Sequence, residues 1–170
     1  MLQNGAKKVY SVDVGYNQLA WKLLKDERVK NIEKLNIKNA EPTQIYNDED
    51  EQADFCSMDV SFISVTKVLN NLKTLLKKDF EIVTLIKPQF EAGKEDVGNG
   101  VIKDEKIHIK ILSELLNFFE QNGFVLVALT FSPIKGPKGN IEYLAHLKNK
   151  GEKADIDVNE FVKKTFEVMN

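Results

Sequence analysis

The chain holds one cysteine, Cys56, so it can form neither an internal disulfide nor a Cys-x-x-Cys metal knuckle. Its longest purely apolar stretch lies within Phe124–Leu129, far short of the ~20 residues a membrane helix needs. Nothing at the N-terminus reads as an export signal. A dominant charge is missing too: 24 basic and 26 acidic side chains in 170 residues leave a formal −2. Any polyanionic partner must therefore be sought in local patches rather than in the overall field. Internal repeats and low-complexity tracts are absent. These absences point to a protein of the reducing cytoplasm with no membrane span. The 42% hydrophobic and 29% charged content is enough for a packed core and excludes disordered or collagen-like chains.

Hydrophobic period alternates along the chain. Lys8–Asp13 is a short β-branched and aromatic run ending in an acid; Asn17–Asp26 then places Leu19, Ala20, Leu23 and Leu24 at helical spacing. Val29–Asn36 reads as a second strand and Glu41–Glu51 as a polar connection whose Asp48–Glu51 run is a solvated loop. Ala53–Asp59 is a buried type of strand. A helix is expected over Ser64–Lys77, with Val65, Val68, Leu69, Leu72 and Leu76 on one face. Phe80–Lys87 is the clearest strand, stopped by Pro88, and the glycine-bearing Gln89–Lys103 reads as a mobile loop. Asp104 can cap a helix striped by Ile107, Ile111, Leu112, Leu115 and Phe119 and closed by Gly123. The strands Phe124–Phe131 and Ile141–Lys148 flank a Pro/Gly loop, and Asp157–Met169 fits a terminal amphipathic helix. This alternation predicts an α/β fold, a mostly parallel sheet with covering helices, ending in an antiparallel hairpin at the sheet edge.

In open α/β sheets, ligands bind beyond the carboxyl ends of the strands, so the residues that end them matter most. Asp13 ends the first strand, Asp59 the third and Lys87 the fourth. The last strand should run antiparallel, which brings its opening residue, Glu142, to the same end. Each of Asp59, Lys87 and Glu142 could belong to an ordinary surface ion pair, but three at matching positions favour a functional cluster. Asp13 is positioned like the acid that binds a nucleotide ribose in Rossmann-like folds, although no glycine loop precedes it. Gly93, Gly98 and Gly100 match no phosphate-binding pattern and read as hinges.

His108 and His146 lack ligand-spaced partners, so no metal site is expected. Cys56 reads as packing and Trp21 as a core or edge aromatic that could border a ligand. From Phe131 to Lys153 five lysines (Lys135, Lys138, Lys148, Lys150 and Lys153) face two acids, Glu142 and Glu152. This rim could hold phosphates, or it could be solvated surface.

Four segments carry a resemblance to a known family: GAKKVYSVDVGYNQLAWKL, MDVSFIS, LIKPQFEAGKEDVGNG and SPIKGPKGNIEYL. Together they resemble the TlyA family, bacterial proteins often labelled hemolysins, which share the FtsJ-like class I methyltransferase domain. The resemblance runs from about Gly5 to Lys148. It implies a Rossmann-like fold, S-adenosylmethionine as cofactor, ribosomal RNA and ribosomal subunits as partners, and 2′-O-methylation of a ribose, cytidine in the family. It matches Asp59, Lys87 and Glu142 to three members of the family's Lys-Asp-Lys-Glu tetrad. It also matches Asp13 to the acid near the cofactor ribose, and Asn36 of KLNIKN to the position near the adenine.

Other parts of the family pattern have no counterpart: an S4-type RNA-binding domain, the first tetrad lysine, and the first strand with its glycine-rich motif, which in the family's sheet lies between the strands matched by Lys8–Asp13 and Ala53–Asp59. The resemblance thus implies an N-terminally truncated member: a partial methyltransferase domain over 1–150, with 151–170 as its helical extension. A lysine at its ordinary pKa of ~10.4 accepts a proton only if a nearby cation lowers that value. In the family the first tetrad lysine would be that cation. A non-catalytic remnant that binds RNA or merely packs is therefore the competing expectation. A membrane-active toxin, suggested by the hemolysin label, is disfavoured by the lack of a span or a long basic amphipathic helix.

Overall fold

The computed structural model describes residues 1–93 and 95–169; Lys94, in the expected glycine-bearing loop, and Asn170 lie outside the described residues. Strands β1 (Val9–Val12) and β2 (Val29–Ile32) pair in parallel, Val9 opposite Val29 and Val12 opposite Ile32. Between them the expected helix over Asn17–Asp26 shrinks to one turn, α1 (Trp21–Leu24). Asn17 takes a φ of 56° and its N–H donates to Glu33 Oε1 at 2.9 Å, which holds the preceding loop in a turn. The apolar side chains have no face to bury: Trp21 is 69% exposed, so it is not a core residue. A helix this short has no stability without tertiary packing.

Strand β2 stops at Ile32, short of the expected Asn36, because Lys34 turns with a φ of 58°. The segment read as a polar connection contains a helical turn, α2 (Pro42–Ile45). Proline at its first position and the Glu41 N–H donating to Gln44 Oε1 at 2.9 Å stabilise that start, and Ile45 is buried. Strand β3 (Ala53–Met58) leads to α3 (Thr66–Leu75), which passes directly into β4 (Leu76–Ile86), four residues before the expected start. Pro88 then begins a short α4 (Pro88–Glu91), so the following loop is shorter than its sequence suggests. The long helix α5 (Glu105–Gln121) is capped by Asp104, whose side chain accepts from the Lys106 N–H at 2.8 Å. Strands β5 (Val125–Phe131) and β6 (Tyr143–Lys148) and the terminal α6 (Val158–Met169) complete the chain.

The main sheet has the order β3-β4-β6-β5, with β3 parallel to β4 and β6 antiparallel to both neighbours. The antiparallel hairpin is as expected, and its second strand inserts between β4 and β5. The sheet is interrupted between β1 and β3, where the resemblance implies a missing strand: β1 and β2 form a sheet of their own. Between β1 and β3 lies a cavity of about 120 Å³ lined by Val9, Tyr10 and Val12 on one side and Phe55, Cys56 and Ser57 on the other. Tyr46 bridges this region. Its hydroxyl donates to the Leu75 carbonyl at 2.6 Å and accepts from the Ala53 N–H at 3.2 Å, while its ring packs edge-on to Tyr10.

Period-2 burial places the core. Phe80, Ile82, Thr84 and Ile86 of β4 and Tyr143, Ala145 and Leu147 of β6 are buried. They pack with Leu69 and Leu72 of α3, Leu112 and Phe119 of α5, and Val162 and Phe166 of α6. The intervening Glu81, Val83, Leu85, Leu144, His146 and Lys148 are only partly covered. One face of the sheet is thus closed by helices, and the strand ends are held against it.

Candidate active site

Each candidate residue sits just beyond the element that places it. Asp13 follows β1, Asp59 follows β3 and Lys87 follows β4. Ile86 pairs with Tyr143, so Glu142 enters beside Lys87 at the start of β6. Pro88 creates the junction at Lys87. It cannot continue the ladder and keeps the preceding residue extended, φ −112° and ψ 99°.

The Lys87 ammonium lies 2.5 Å from Asp59 Oδ1 and 3.0 Å from Ser61 Oγ. Its side chain is 11% exposed and that of Asp59 65%, so the pair sits at the lip of a cavity with the acid facing outward. Glu142 is 5% exposed and joins the cluster differently. Among the described residues no cation comes within 4.0 Å of its carboxylate; instead Gln89 Nε2 donates to Oε1 at 3.1 Å. The carboxylate rests on Gly136, where an added Cβ would overlap Oε1. Three residues predicted to cluster do share one end of the sheet, but only Asp59 and Lys87 form an ion pair.

The loop after Asp59 carries two groups that the reading of strand ends missed. Ser61 is a Lys87 partner. Phe62 is 90% exposed and holds a φ of 62°, a conformation costly for a bulky side chain, with its ring 4.9 Å from that of Phe90. The signal lay in the MDVSFIS segment, where an aromatic follows an acidic strand end. Glu91 anchors this region, accepting from Ser64 Oγ at 2.6 Å and from the Val65 N–H at 2.9 Å. Burial pushes its carboxyl above the ordinary range.

A cavity of about 470 Å³ opens between the two sheets. Asp13, Val14, Leu35, Asn36 and Ile37 line one wall, and Asp59, Val60, Ser61, Phe62 and Ile63 the other. Asp13 Oδ1 accepts from the Gly15 N–H at 2.6 Å, and Asn36 Oδ1 accepts from the Lys38 N–H at 3.1 Å. The second Asp13 oxygen and the Asn36 amide nitrogen have no hydrogen bond to a described residue.

The lysine rim is smaller than its sequence suggests. Lys148, Lys150 and Lys153 are paired with Glu81, Asp79 and Glu120. The antiparallel course of β6 carries them to the opposite end of the sheet, leaving Lys135 and Lys138 near Glu142 in the connecting loop. His108 is buried between Tyr143 and Ile102, and His146 pairs with Glu81. Among the described residues no group of three potential metal ligands occurs, and no helix is long and apolar enough to cross a membrane. Burial raises the Cys56 thiol to about 11, in keeping with a packing role.

The Rossmann-like α/β fold, with a cleft and an acid–lysine pair at its strand ends, has counterparts among solved structures. The fold is shared with an S-adenosylmethionine-dependent methyltransferase structure from Listeria monocytogenes, at a TM-score of 0.56 and 16% identity over 88% of this chain and 84% of that one. A structure described as "Putative hemolysin from Streptococcus thermophilus" superposes with a TM-score of 0.88 and 45% identity, covering 99% of this chain and 61% of that one. The chain belongs to the FtsJ-like methyltransferase family, whose model matches residues 1–149. It is 48% identical to "Putative rRNA methyltransferase YqxC" of Bacillus subtilis, over 89% of this chain and 53% of the relative. It is 37% identical to the 16S/23S rRNA (cytidine-2′-O)-methyltransferase TlyA of Mycobacterium tuberculosis, over 91% and 56%. The chain thus spans somewhat more than half the length of these curated relatives.

Proposed function

We propose that this chain is the catalytic part of an S-adenosylmethionine-dependent RNA ribose 2′-O-methyltransferase that acts on ribosomal RNA in the cytoplasm, with a cytidine as acceptor. The observation that carries the reading is the Lys87–Asp59 pair, 2.5 Å apart, at the mouth of the cleft that Asp13 and Asn36 line. S-adenosylmethionine, when bound, supplies an already activated methyl group. The residues present suit it: the free Asp13 oxygen can accept from ribose hydroxyls, Asn36 can donate to a base, and Leu35, Ile37, Val60 and Ile63 give apolar walls.

A ribose hydroxyl is a weak nucleophile, so the protein must align it and receive its proton. Lys87 is the acceptor in this reading, and it can take the proton only in the extended protein, where the first tetrad lysine would supply the cation that lets it give up its own. Asp59 orients it from the cleft side, while Glu142 stands at the same sheet end, more than 4.0 Å from Lys87 and bonded to Gln89. Phe62 offers an exposed ring on which a base can stack, and Lys135 and Lys138 offer phosphate contacts.

The test is transfer of labelled methyl from S-adenosylmethionine to bacterial ribosomal RNA. It compares this chain with the chain joined to the segment preceding the matched region in the Bacillus relative. The extended protein should methylate a ribose 2′-hydroxyl, and Lys87→Ala should remove most of that activity; full transfer by the variant would show that Lys87 is dispensable.

One observation favours a second reading, a non-catalytic RNA-binding or packing module. The two walls of the cleft belong to separate sheets with no strand ladder between them. RNA binding without transfer by both proteins would select it.

A further inference from the structure

Among the described residues, Gln89 Oε1 is the one buried side-chain polar atom without a hydrogen-bond partner. Gln89 is 9% exposed, lies two residues after Lys87, and reaches across to β6, where its Nε2 donates to Glu142 Oε1 at 3.1 Å. The amide nitrogen is the atom that faces Glu142, and the carbonyl faces away. Glu142 itself is 5% exposed with this neutral amide as its hydrogen-bond donor, and its carboxylate lies against Gly136, where no side chain intervenes. A position needed only for packing would carry an apolar residue of glutamine's size. A buried carboxylate with one donor beside a carbonyl with none is a polar arrangement that folding alone does not favour.

We infer that Gln89 is a positioning residue of the methyl-transfer site. It acts through Glu142: its N–H holds the carboxylate at the Lys87 end of β6 and leaves the remaining lone pairs to accept from a donor at that end. The inference rests on the function proposed above and goes beyond it by assigning a role to a residue outside the acid–lysine cluster.

Gln89→Glu is the discriminating change because it is isosteric. The introduced carboxyl, when protonated, donates to Glu142 as the amide does, whereas two ionised carboxylates at this separation repel, so the pair should share one proton with a raised apparent pKa. The sign follows: stability from the shared proton is fully present below the unfolded value of ~4.3 and is lost as pH rises through the raised folded value. Thermal melts of the native chain and of Q89E from about pH 4 to pH 8 should therefore diverge as pH rises, the variant losing stability that the native chain keeps. Methyl transfer by the extended protein carrying Q89E should follow the same protonation, near native at low pH and down tenfold or more at high pH. Gln89→Met keeps the volume without the donor and should lose activity tenfold or more at every pH, with the KM for the cofactor unchanged within about twofold.

A melting difference between Q89E and the native chain that is flat with pH would overturn the inference whatever the activity. So would a pH-dependent melt accompanied by a native pH profile of transfer, because the pair would then be outside the working site. Absence of transfer by the extended native protein overturns the function proposed above and the positioning role with it. That result is distinguishable from a flat melt.

Discussion

Replacing His108 with leucine tests how α5 is tied to β6. His108 is 1% exposed; its Nδ1 lies 2.7 Å from the Tyr143 hydroxyl and its Nε2 3.1 Å from the Ile102 carbonyl. Its ring is packed edge-on against Phe166. Leucine fills most of the volume but leaves the Tyr143 hydroxyl and the Ile102 carbonyl buried without partners. At ~1–3 kcal/mol for each orphaned group, the expected loss is about 2–6 kcal/mol, a large part of a typical domain's ~5–15 kcal/mol. Burial lowers the His108 pKa, an effect opposed by the Ile102 hydrogen bond and by Asp104. A histidine with a depressed folded pKa stabilises fully above its unfolded value of ~6.5. That contribution declines as pH falls from there toward the folded value, because the unfolded chain takes up the proton first. Urea unfolding followed by circular dichroism at pH 7 and pH 5 is the assay. The native chain should lose more stability between the two pH values than His108→Leu does. A variant within about 0.5 kcal/mol of native at pH 7, with the same pH dependence, would refute the argument; surface substitutions give changes of that size.

Three further outcomes follow from named contacts. Calorimetric titration of this chain with S-adenosylmethionine should show binding weaker than micromolar, because no strand ladder ties β1 to β3 across the cleft; micromolar affinity with a cooperative monomeric melt would contradict this. Asp104→Ala removes the acceptor for the Lys106 N–H and should lower stability by ~0.5–2 kcal/mol in chemical denaturation. Gly136→Ala puts a Cβ where Glu142 Oε1 now lies, so the carboxylate must leave Gln89. With an ordinary φ of −70° at that position the fold should persist by circular dichroism while methyl transfer falls at least tenfold.

The strand ends were legible because each depends on a handful of neighbouring residues. Lys8–Asp13, Ala53–Asp59 and Phe80–Lys87 are β-branched or apolar runs that finish on a charged side chain, and the observed strands stop one residue before those charges. The same rule misled at Asn17–Asp26. Helical spacing states which face a helix would bury, not whether anything exists to bury it against, and Trp21 and its neighbours found no partner. Burial of Ile45 and the Glu41–Gln44 contact favoured helix at Pro42–Ile45, where composition alone suggested a loop.

The site divides along the same line. Asp13, Asp59 and Lys87 are set by chain-local punctuation, so their convergence at one sheet edge follows once the strands are known to be parallel. Gln89 and Glu142 are 53 residues apart and meet only through the antiparallel register of β6 on β4. That register also sends Lys148, Lys150 and Lys153, close to Glu142 in sequence, to the far end of the sheet. The separation of β1–β2 from the main sheet was beyond local pattern and legible only through the family resemblance, which implies a missing strand between β1 and β3. Short-range periodicity and terminating residues thus encode the elements and the charged groups that cap them, whereas pairing across tens of residues chooses which of those groups touch.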